Sequence, residues 1–178
     1  MIVDIEKGDL RILITGGAGF IGGCLIRRIL EISNAKVFNL DKLSYASDLD
    51  GINKSPNNER HFLMKVNLID FDKTFSAVKK ADPDIIFHLA AESHVDRSIE
   101  NSKPFLQSNI IGTFNILESA RKHWESMNAL RKEKFRFLHV STDEVFGSLG
   151  LKGRFSEKTA YDPRSPYSAS KAGSDHLC

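Results

Sequence analysis

The chain has 178 residues, of which 41% are hydrophobic and 27% charged, and its net charge is +2. That length suffices for one sizeable core, and the scattered Lys and Arg residues exclude a nucleic-acid footprint. Its two cysteines, Cys24 and Cys178, have no metal-ligand spacing and form no disulfide framework, which fits a reducing, cytoplasmic setting. No apolar run approaches the roughly 18 residues of a membrane span, and MIVDIEKGDLR lacks the pattern of a signal peptide.

Residues 1–10 read as an N-terminal extension. Five apolar segments then predict strands: RILIT at 11–15, KVFNLD at 36–41, HFLMKV at 61–66, DIIFHLA at 84–90 and FRFLHVS at 135–141. They are nearly continuous rather than alternating, as in a parallel sheet covered on both faces. Helical spacing lies between them. Ile21, Leu25, Ile29 and Ile32 form one stripe, Phe71, Phe75 and Val78 a second, and Phe105, Ile110, Phe114, Leu117 and Trp124 a third along a long helix at 104–124. The 41–60 link, with Pro56, Asn57 and Asn58, predicts little helix, and Arg121 to Arg136 reads as a solvated helix end and loop. Strand, helix, strand in repetition predicts an α/β fold with a doubly wound, parallel Rossmann-type sheet over 11–178. SASKAGSDHLC at the end looks like the first turns of a helix with no stop signal, as if the domain were cut short.

LITGGAGFIGG joins the first strand to the first helix, with Gly16, Gly19 and Gly22 at GxxGxxG spacing. Glycine there lets backbone approach a phosphate, and the helix N-terminus offers N–H groups to a pyrophosphate; Phe20 and Ile21 lie in that first turn. Asp41 ends the second strand, 25 residues after Gly16, where a carboxylate can accept hydrogen bonds from ribose hydroxyls and repel a 2′-phosphate; this favours NAD, although the adjacent Lys42 weakens the exclusion. Asn67, followed by Leu68, fits either an adenine contact or a turn cap. In HLAAESHVDRS, Ala90 and Ala91 are small where a cofactor would pass, and Glu92, Ser93, His94, Asp96 and Arg97 form a polar cluster without metal-ligand spacing. His88 reads as an internally satisfied strand histidine.

PRSPYSASKAG sets Tyr167 four residues before Lys171, on one face of a helix. An ammonium beside a phenol lowers its pKa, and such a tyrosine can take a hydroxyl proton as hydride leaves for a nicotinamide. Tyr161, the other candidate phenol, has Ser165 where that lysine would stand. STDEVFG, after the fifth strand, carries Thr142, Asp143 and Glu144. The two carboxylates are either a turn cap or an acid and a base.

TGGAGFIG, NLDKLSYASDL, HLAAESHVDRSI, NIIGTFNILESAR, STDEVFG and SPYSASKA resemble the extended short-chain dehydrogenase/reductase superfamily and, within it, the dTDP-glucose 4,6-dehydratases. The resemblance implies a Rossmann-type NAD-binding portion, with a C-terminal sugar-nucleotide domain and further strands absent from these 178 residues. It implies tightly bound NAD, a nucleotide-sugar substrate, and a homodimer through the 104–124 helix and the helix starting near Tyr167. It makes Tyr167 the oxidation base with Lys171 its partner. Thr142 would bind the sugar C4 hydroxyl, Asp143 would be the general acid and Glu144 the general base of dehydration, with Ser93 also on the substrate. Phe146 stands where the family usually has tyrosine. Two other readings stay open: a nucleotide-sugar epimerase or other dehydratase, which shares the glycine turn and Tyr167–Lys171, and a non-catalytic dinucleotide-binding fragment.

Overall fold

A computed structural model describes residues 9–178. Most of the expected N-terminal extension, residues 1–8, lies outside them. Five strands, β1 (Arg11–Thr15), β2 (Lys36–Asp41), β3 (His61–Lys65), β4 (Ile85–His88) and β5 (Arg136–His139), form one parallel sheet in the order β3-β2-β1-β4-β5. The chain lays β2 and β3 on one side of β1, then crosses to lay β4 and β5 on the other. A crevice therefore opens above the C-terminal end of β1, where helices leave in opposite directions.

The helices are α1 (Phe20–Ile32), α2 (Asp50–Asn53), α3 (Phe71–Ala81), α4 (Val95–Glu100), α5 (Lys103–Phe105), α6 (Gly112–Ser126), α7 (Ala129–Lys134) and α8 (Pro166–Asp175). Side chains of β1 alternate between two cores. Ile12 and Ile14 join Ile26, Ile29 and Leu30 of α1, while Leu13 joins Val78 of α3 and Ile116 of α6. Each fully buried aliphatic side chain contributes about 1.5–3 kcal/mol.

The predicted strands recur within a residue or two at their ends, but not all are covered on both faces. Phe62 and Leu63 of β3 and Leu138 of β5 are exposed, because these are the two edges of the sheet. The predicted stripes are rotated as well. In α1 the buried set is Gly22, Gly23, Ile26, Ile29 and Leu30, and Ile21 faces out. In α3, Thr74, Ala77, Val78 and Ala81 are buried, while Phe71 and Phe75 stack at its edge under the Lys122 ammonium.

The predicted long helix runs from Lys103 to Ser126, with a π-helical stretch at Leu106–Ile111 between α5 and α6. Phe105 is buried, but Phe114 and Trp124 are exposed. The buried face instead carries Asn109, Thr113, Asn115, Ser119 and His123. Each has a partner: Asn115 Nδ2 donates to the carbonyls of Leu68 and Ile69, Ser119 to Asn115, and His123 bonds Pro83 O. Buried polar groups are tolerated when satisfied in this way.

The stretch from Arg121 to Arg136 is not merely solvated. Asn128 caps α7, and half-buried Arg131 donates to the carboxylates of both Asp82 and Asp84, which also receive Arg11. This network closes the bottom of the sheet, opposite the crevice.

His88 is the internally satisfied histidine expected from its strand. Thr15 Oγ1 accepts from Ala90 N at 3.1 Å and lies 2.6 Å from His88 Nδ1, so the threonine proton is free to donate to that nitrogen. Nε2–H then donates to Thr113 Oγ1 at 2.9 Å. Complete burial, with His139 and Lys171 nearby, holds His88 well below the ordinary value of 6.5. A depressed histidine adds stability that is fully present above 6.5 and is lost as pH falls below it, because only the unfolded chain takes up the proton. The slope of unfolding free energy between about pH 5 and about pH 7.5 should therefore be shallower for His88→Asn than for the wild type in denaturant titrations. An unchanged slope would contradict the assignment.

Candidate active site and cofactor crevice

The crevice is built on the turn between β1 and α1. Gly16 has φ 72°, and a Cβ there would lie 2.8 Å from the backbone N and Cα of Ala90. A Cβ on Gly22 would lie 2.3 Å from the Gly16 carbonyl. Side chains at these two positions would push the turn off the sheet. Helix α1 then opens with Gly19 as its cap, with no side-chain cap and no acidic residue in its first turn. Phe20 is 94% and Ile21 64% exposed. The first N–H groups of the helix are thus left for an anion, in a positive dipole field.

Asp41 is buried at the end of β2. Its Oδ2 accepts from Ala18 N at 3.0 Å and its Oδ1 from Leu43 N at 2.8 Å. It therefore ties the glycine turn to the neighbouring strand, and it also lines the crevice. Both the turn-former and the ribose-acceptor readings apply to the same carboxylate. Lys42 pairs with Glu92 at 2.5 Å across the crevice. Asn67 caps its own turn, accepting from Ile69 N at 3.2 Å, and Leu68 is buried beside it. Its turn-cap reading is thus present in the geometry, with the residue at the crevice wall.

A cavity of about 510 Å³ occupies this place. Gly16, Gly19, Phe20, Ile21 and Gly22 line it from β1–α1, Asp41 and Lys42 from β2, and Asn67 and Leu68 from β3. Ala90, Ala91 and Ser93 line it from β4, and Tyr167 and Lys171 from α8. The fold thus brings all of these predicted residues to one wall system. Its size suits a dinucleotide-sized ligand. The uncapped helix end, the two glycine contacts that admit no side chain and the buried Asp41 fit NAD.

Helix α8 starts sharply. Pro166 occupies its first turn, and Ser165 and Ser168 form a reciprocal capping box. Tyr167 and Lys171 lie one turn apart and are both buried. Lys171 Nζ donates to the Val140 carbonyl at 2.7 Å. The expected lowering of the phenol pKa is not found. Burial pushes Tyr167 above its ordinary value, the neighbouring Thr142 hydroxyl pulls the other way, and the charges of Glu144, Asp143 and Asp175 raise it further. Burial lowers the Lys171 pKa, and the negative charge of Asp175 opposes this.

Thr142, Asp143 and Glu144 leave β5 into a 3-10 turn, Asp143–Phe146. The cap is Thr142, whose Oγ1 accepts from Glu144 N at 3.3 Å, so neither carboxylate is used as the cap. Asp143 is exposed and Glu144 half-buried, both close enough to Tyr167 to act on its ionisation. None of Thr142, Asp143 and Glu144 is in the crevice lining, which on this side holds Val140 and Ser141. Phe146 packs against Phe155 and Tyr161.

Sequence reasoning missed Asn109. The π-helical stretch aims its side chain into the protein at 1% exposure. There it bonds Glu92 N and O and donates to Ser170 Oγ, locking the β4 loop to α8. A polar residue inside an apolar helical run was the available signal, because π stretches cluster at functional sites. Ser98, whose Oγ accepts from Tyr167 N at 3.1 Å, had no such signal.

Comparison with known proteins agrees with this geometry. The family model described as GDP-mannose 4,6 dehydratase matches residues 13–178. A probable dTDP-glucose 4,6-dehydratase of Sinorhizobium fredii is 50% identical over 168 residues, covering 94% of this chain and 48% of the relative. The dTDP-glucose 4,6-dehydratase of Neisseria gonorrhoeae is 47% identical, covering 96% and 50%. Among solved structures, a dTDP-glucose 4,6-dehydratase of Streptomyces venezuelae with NAD bound superposes with a TM-score of 0.81 at 36% identity, over 93% of this chain and 49% of that one. A UDP-glucose 4-epimerase of Thermus thermophilus, also complexed with NAD, gives 0.79 at 27% identity, over 93% and 49%. The chain spans about half the length of the curated relatives it matches. Since the family model reaches from β1 through α8 and takes in every element that lines the crevice, the chain belongs to the GDP-mannose 4,6 dehydratase family.

Proposed function

We propose that the protein carrying this chain converts dTDP-glucose to dTDP-4-keto-6-deoxyglucose, with NAD as a cofactor regenerated in each turnover. The observation that carries this reading is that Thr142, Asp143 and Glu144 leave β5 close enough to the Tyr167 phenol to act on its ionisation, while Tyr167 itself lines the glycine-turn crevice. An epimerase needs the crevice and the phenol but has no use for an acid–base pair that removes water. Sequence identities of 47–50% to curated dTDP-glucose 4,6-dehydratases support the same choice.

In this mechanism Tyr167 takes the proton of the sugar C4 hydroxyl, which Thr142 orients. Bound NAD would supply a positive nicotinamide ring that favours the phenolate, and a carbon that accepts the hydride from C4 and returns it to C6. Lys171 offsets the developing negative charge on the phenol. The C4 ketone acidifies the C5 hydrogen, which Glu144 removes, Asp143 gives a proton to the departing C6 hydroxyl, and a proton returns to C5 as the hydride reaches C6. Ser93, at the cavity wall, is a substrate contact. Residues 11–178 act as the NAD-binding unit, and a separate sugar-nucleotide domain of the whole protein completes the pocket. Among the described residues no helix is long and apolar enough to cross a membrane, and both cysteines are exposed free thiols, in keeping with a cytoplasmic enzyme.

We further propose a homodimer. Leu106, Ile111 and Phe114 stay 46–51% exposed along the 103–126 helix, next to α8. Three large apolar side chains on one solvent face fit an interface core.

In the full-length protein, Asp143→Asn and Glu144→Gln should each slow water loss about 100-fold or more while leaving NAD binding intact, as read by product mass and calorimetry. Near wild-type rates in both variants would sink the reaction assignment. Asp41→Ala should weaken NAD binding about tenfold and narrow its preference over NADP, a ratio that simple loosening of the turn would not move. Phe114→Glu should shift the sedimenting species from dimer to monomer without loss of helical signal.

A further inference from the structure

The oxidation and elimination groups sit on different elements. Tyr167 and Lys171 belong to α8, whereas Thr142, Asp143 and Glu144 follow β5. Sugar carbons C4, C5 and C6 are consecutive, so a relative slip of about 1 Å between the elements would spoil the second step. We propose that Asp175 is the positioning residue that keeps the Thr142–Glu144 segment in register with Tyr167 and Lys171; this rests on the dehydratase reading above.

Asp175 is the last residue of α8, four residues after Lys171, and its side chain is only 10% exposed. Three chain segments converge on it. Oδ1 accepts from His139 Nε2, at the end of β5, at 3.0 Å. Oδ2 accepts from Ser141 Oγ at 2.5 Å and from Tyr161 OH at 3.1 Å. Ser141 immediately precedes Thr142, and Tyr161 lies on the segment that returns from the 3-10 turn to α8. A carboxylate accepts only, so all three partners must donate, which fixes them without ambiguity. His139 therefore carries its proton on Nε2, and its buried Nδ1 is left with no partner. An orphaned acceptor costs stability, so this arrangement is retained at a cost. The other polar ties between β5 and α8 are the Lys171–Val140 bond and a longer Ser174–His139 contact at 3.3 Å. Neither reaches the segment that begins at Ser141, where the Thr142 hydroxyl lies beside the Tyr167 phenol. Asp175 does, and it is outside the cavity wall, so it acts through other residues.

The test compares wild type, Asp175→Asn and Asp175→Ala in the full-length protein, mixed rapidly with dTDP-glucose. Reduced cofactor is followed by absorbance and product by mass. Oxidation draws only Thr142 from the Thr142–Glu144 segment while elimination draws Asp143 and Glu144, and Asp175→Asn also removes a charge that acts on Tyr167 and Lys171. Oxidation should therefore slow modestly and elimination about tenfold more than oxidation, so reduced cofactor accumulates. Equal slowing of both steps would overturn the proposal. Wild-type protein that fails to bind NAD or to release water would instead overturn the function reading. Ser141→Ala and Tyr161→Phe each remove one donor and spare the carboxylate; they should shift the balance in the same direction, and wild-type partitioning in both would also overturn it. A readout without turnover uses the full-length protein, whose amide hydrogen exchange in Asp175→Ala should quicken over 139–146 and not in β1 or β2. Unchanged exchange there would count against the clamp.

Discussion

The crevice depends on how closely the backbone after β1 passes the end of β4. Gly16 takes a left-handed conformation there, with no room for even one carbon between it and Ala90. The turn is then held from both neighbouring strands. Gly16 N donates to Leu40 O and Ala18 N to Asp41 on the β2 side, while Ala90 N donates to Thr15 Oγ1 on the β4 side. The helix end that follows has its first N–H groups aimed above the sheet, because the turn has no freedom to point them elsewhere. Thr15, which carries one of these bonds, also sets the tautomer of His88. The phosphate-sized gap and the buried histidine beneath it are consequences of one packing constraint.

The other wall follows different physics. Helix α8 buries Tyr167, Ser168, Ser170, Lys171 and Ser174, a mostly polar face. Apolar packing is non-directional and permits a helix to slide; hydrogen bonds fix distance and angle. Ser98 and Asn109 hold this helix against the β4 side, and Val140, His139 and Ser141 hold it against β5. A helix that carries a phenol and an ammonium to a reacting atom gains from being held by directional bonds. The polar face of the 103–126 helix serves the same end, since Thr113 and Asn109 support His88 and Ser170.

Strand and helix order was legible because parallel strands must be β-branched or aromatic and helices must separate them. Glycine positions were legible because few residues besides glycine tolerate a left-handed turn in backbone contact. Asp41, Tyr167 and Lys171 line the crevice, where their spacing read together with the glycine turn put them. The helix faces were not. Periodicity marks apolar residues, and it assigned Phe114 and Trp124 to a core that Thr113, Asn115 and Ser119 occupy. Partners close together in space but far apart in sequence supply the satisfaction that makes those polar residues buriable, and one chain read linearly does not contain it. For the same reason Asn109, Ser98 and Asp175 went unread, each bonding across 17 to 69 positions. The direction of the Tyr167 shift also went unread, since it is set by burial and by two carboxylates on another element.

That shift bears on the order of events. Asp143 and Glu144, which we propose for elimination, carry negative charge that makes the Tyr167 proton harder to remove. Burial acts in the same sense, and Lys171 is itself made a weaker cation by burial. These effects favour the protonated phenol, and positive charge brought into the crevice would act against them. An oxidised nicotinamide brings that charge and a reduced one does not. On the proposed mechanism, the carboxylates of the second step would thereby tie the first step to the oxidation state of the cofactor. The same coupling disfavours a phenolate after hydride transfer. It leaves the proton of the C4 hydroxyl on Tyr167. Because C4 stays a ketone in the proposed product, that proton leaves Tyr167 by another route before the next turnover, balancing the one that Asp143 gives to water.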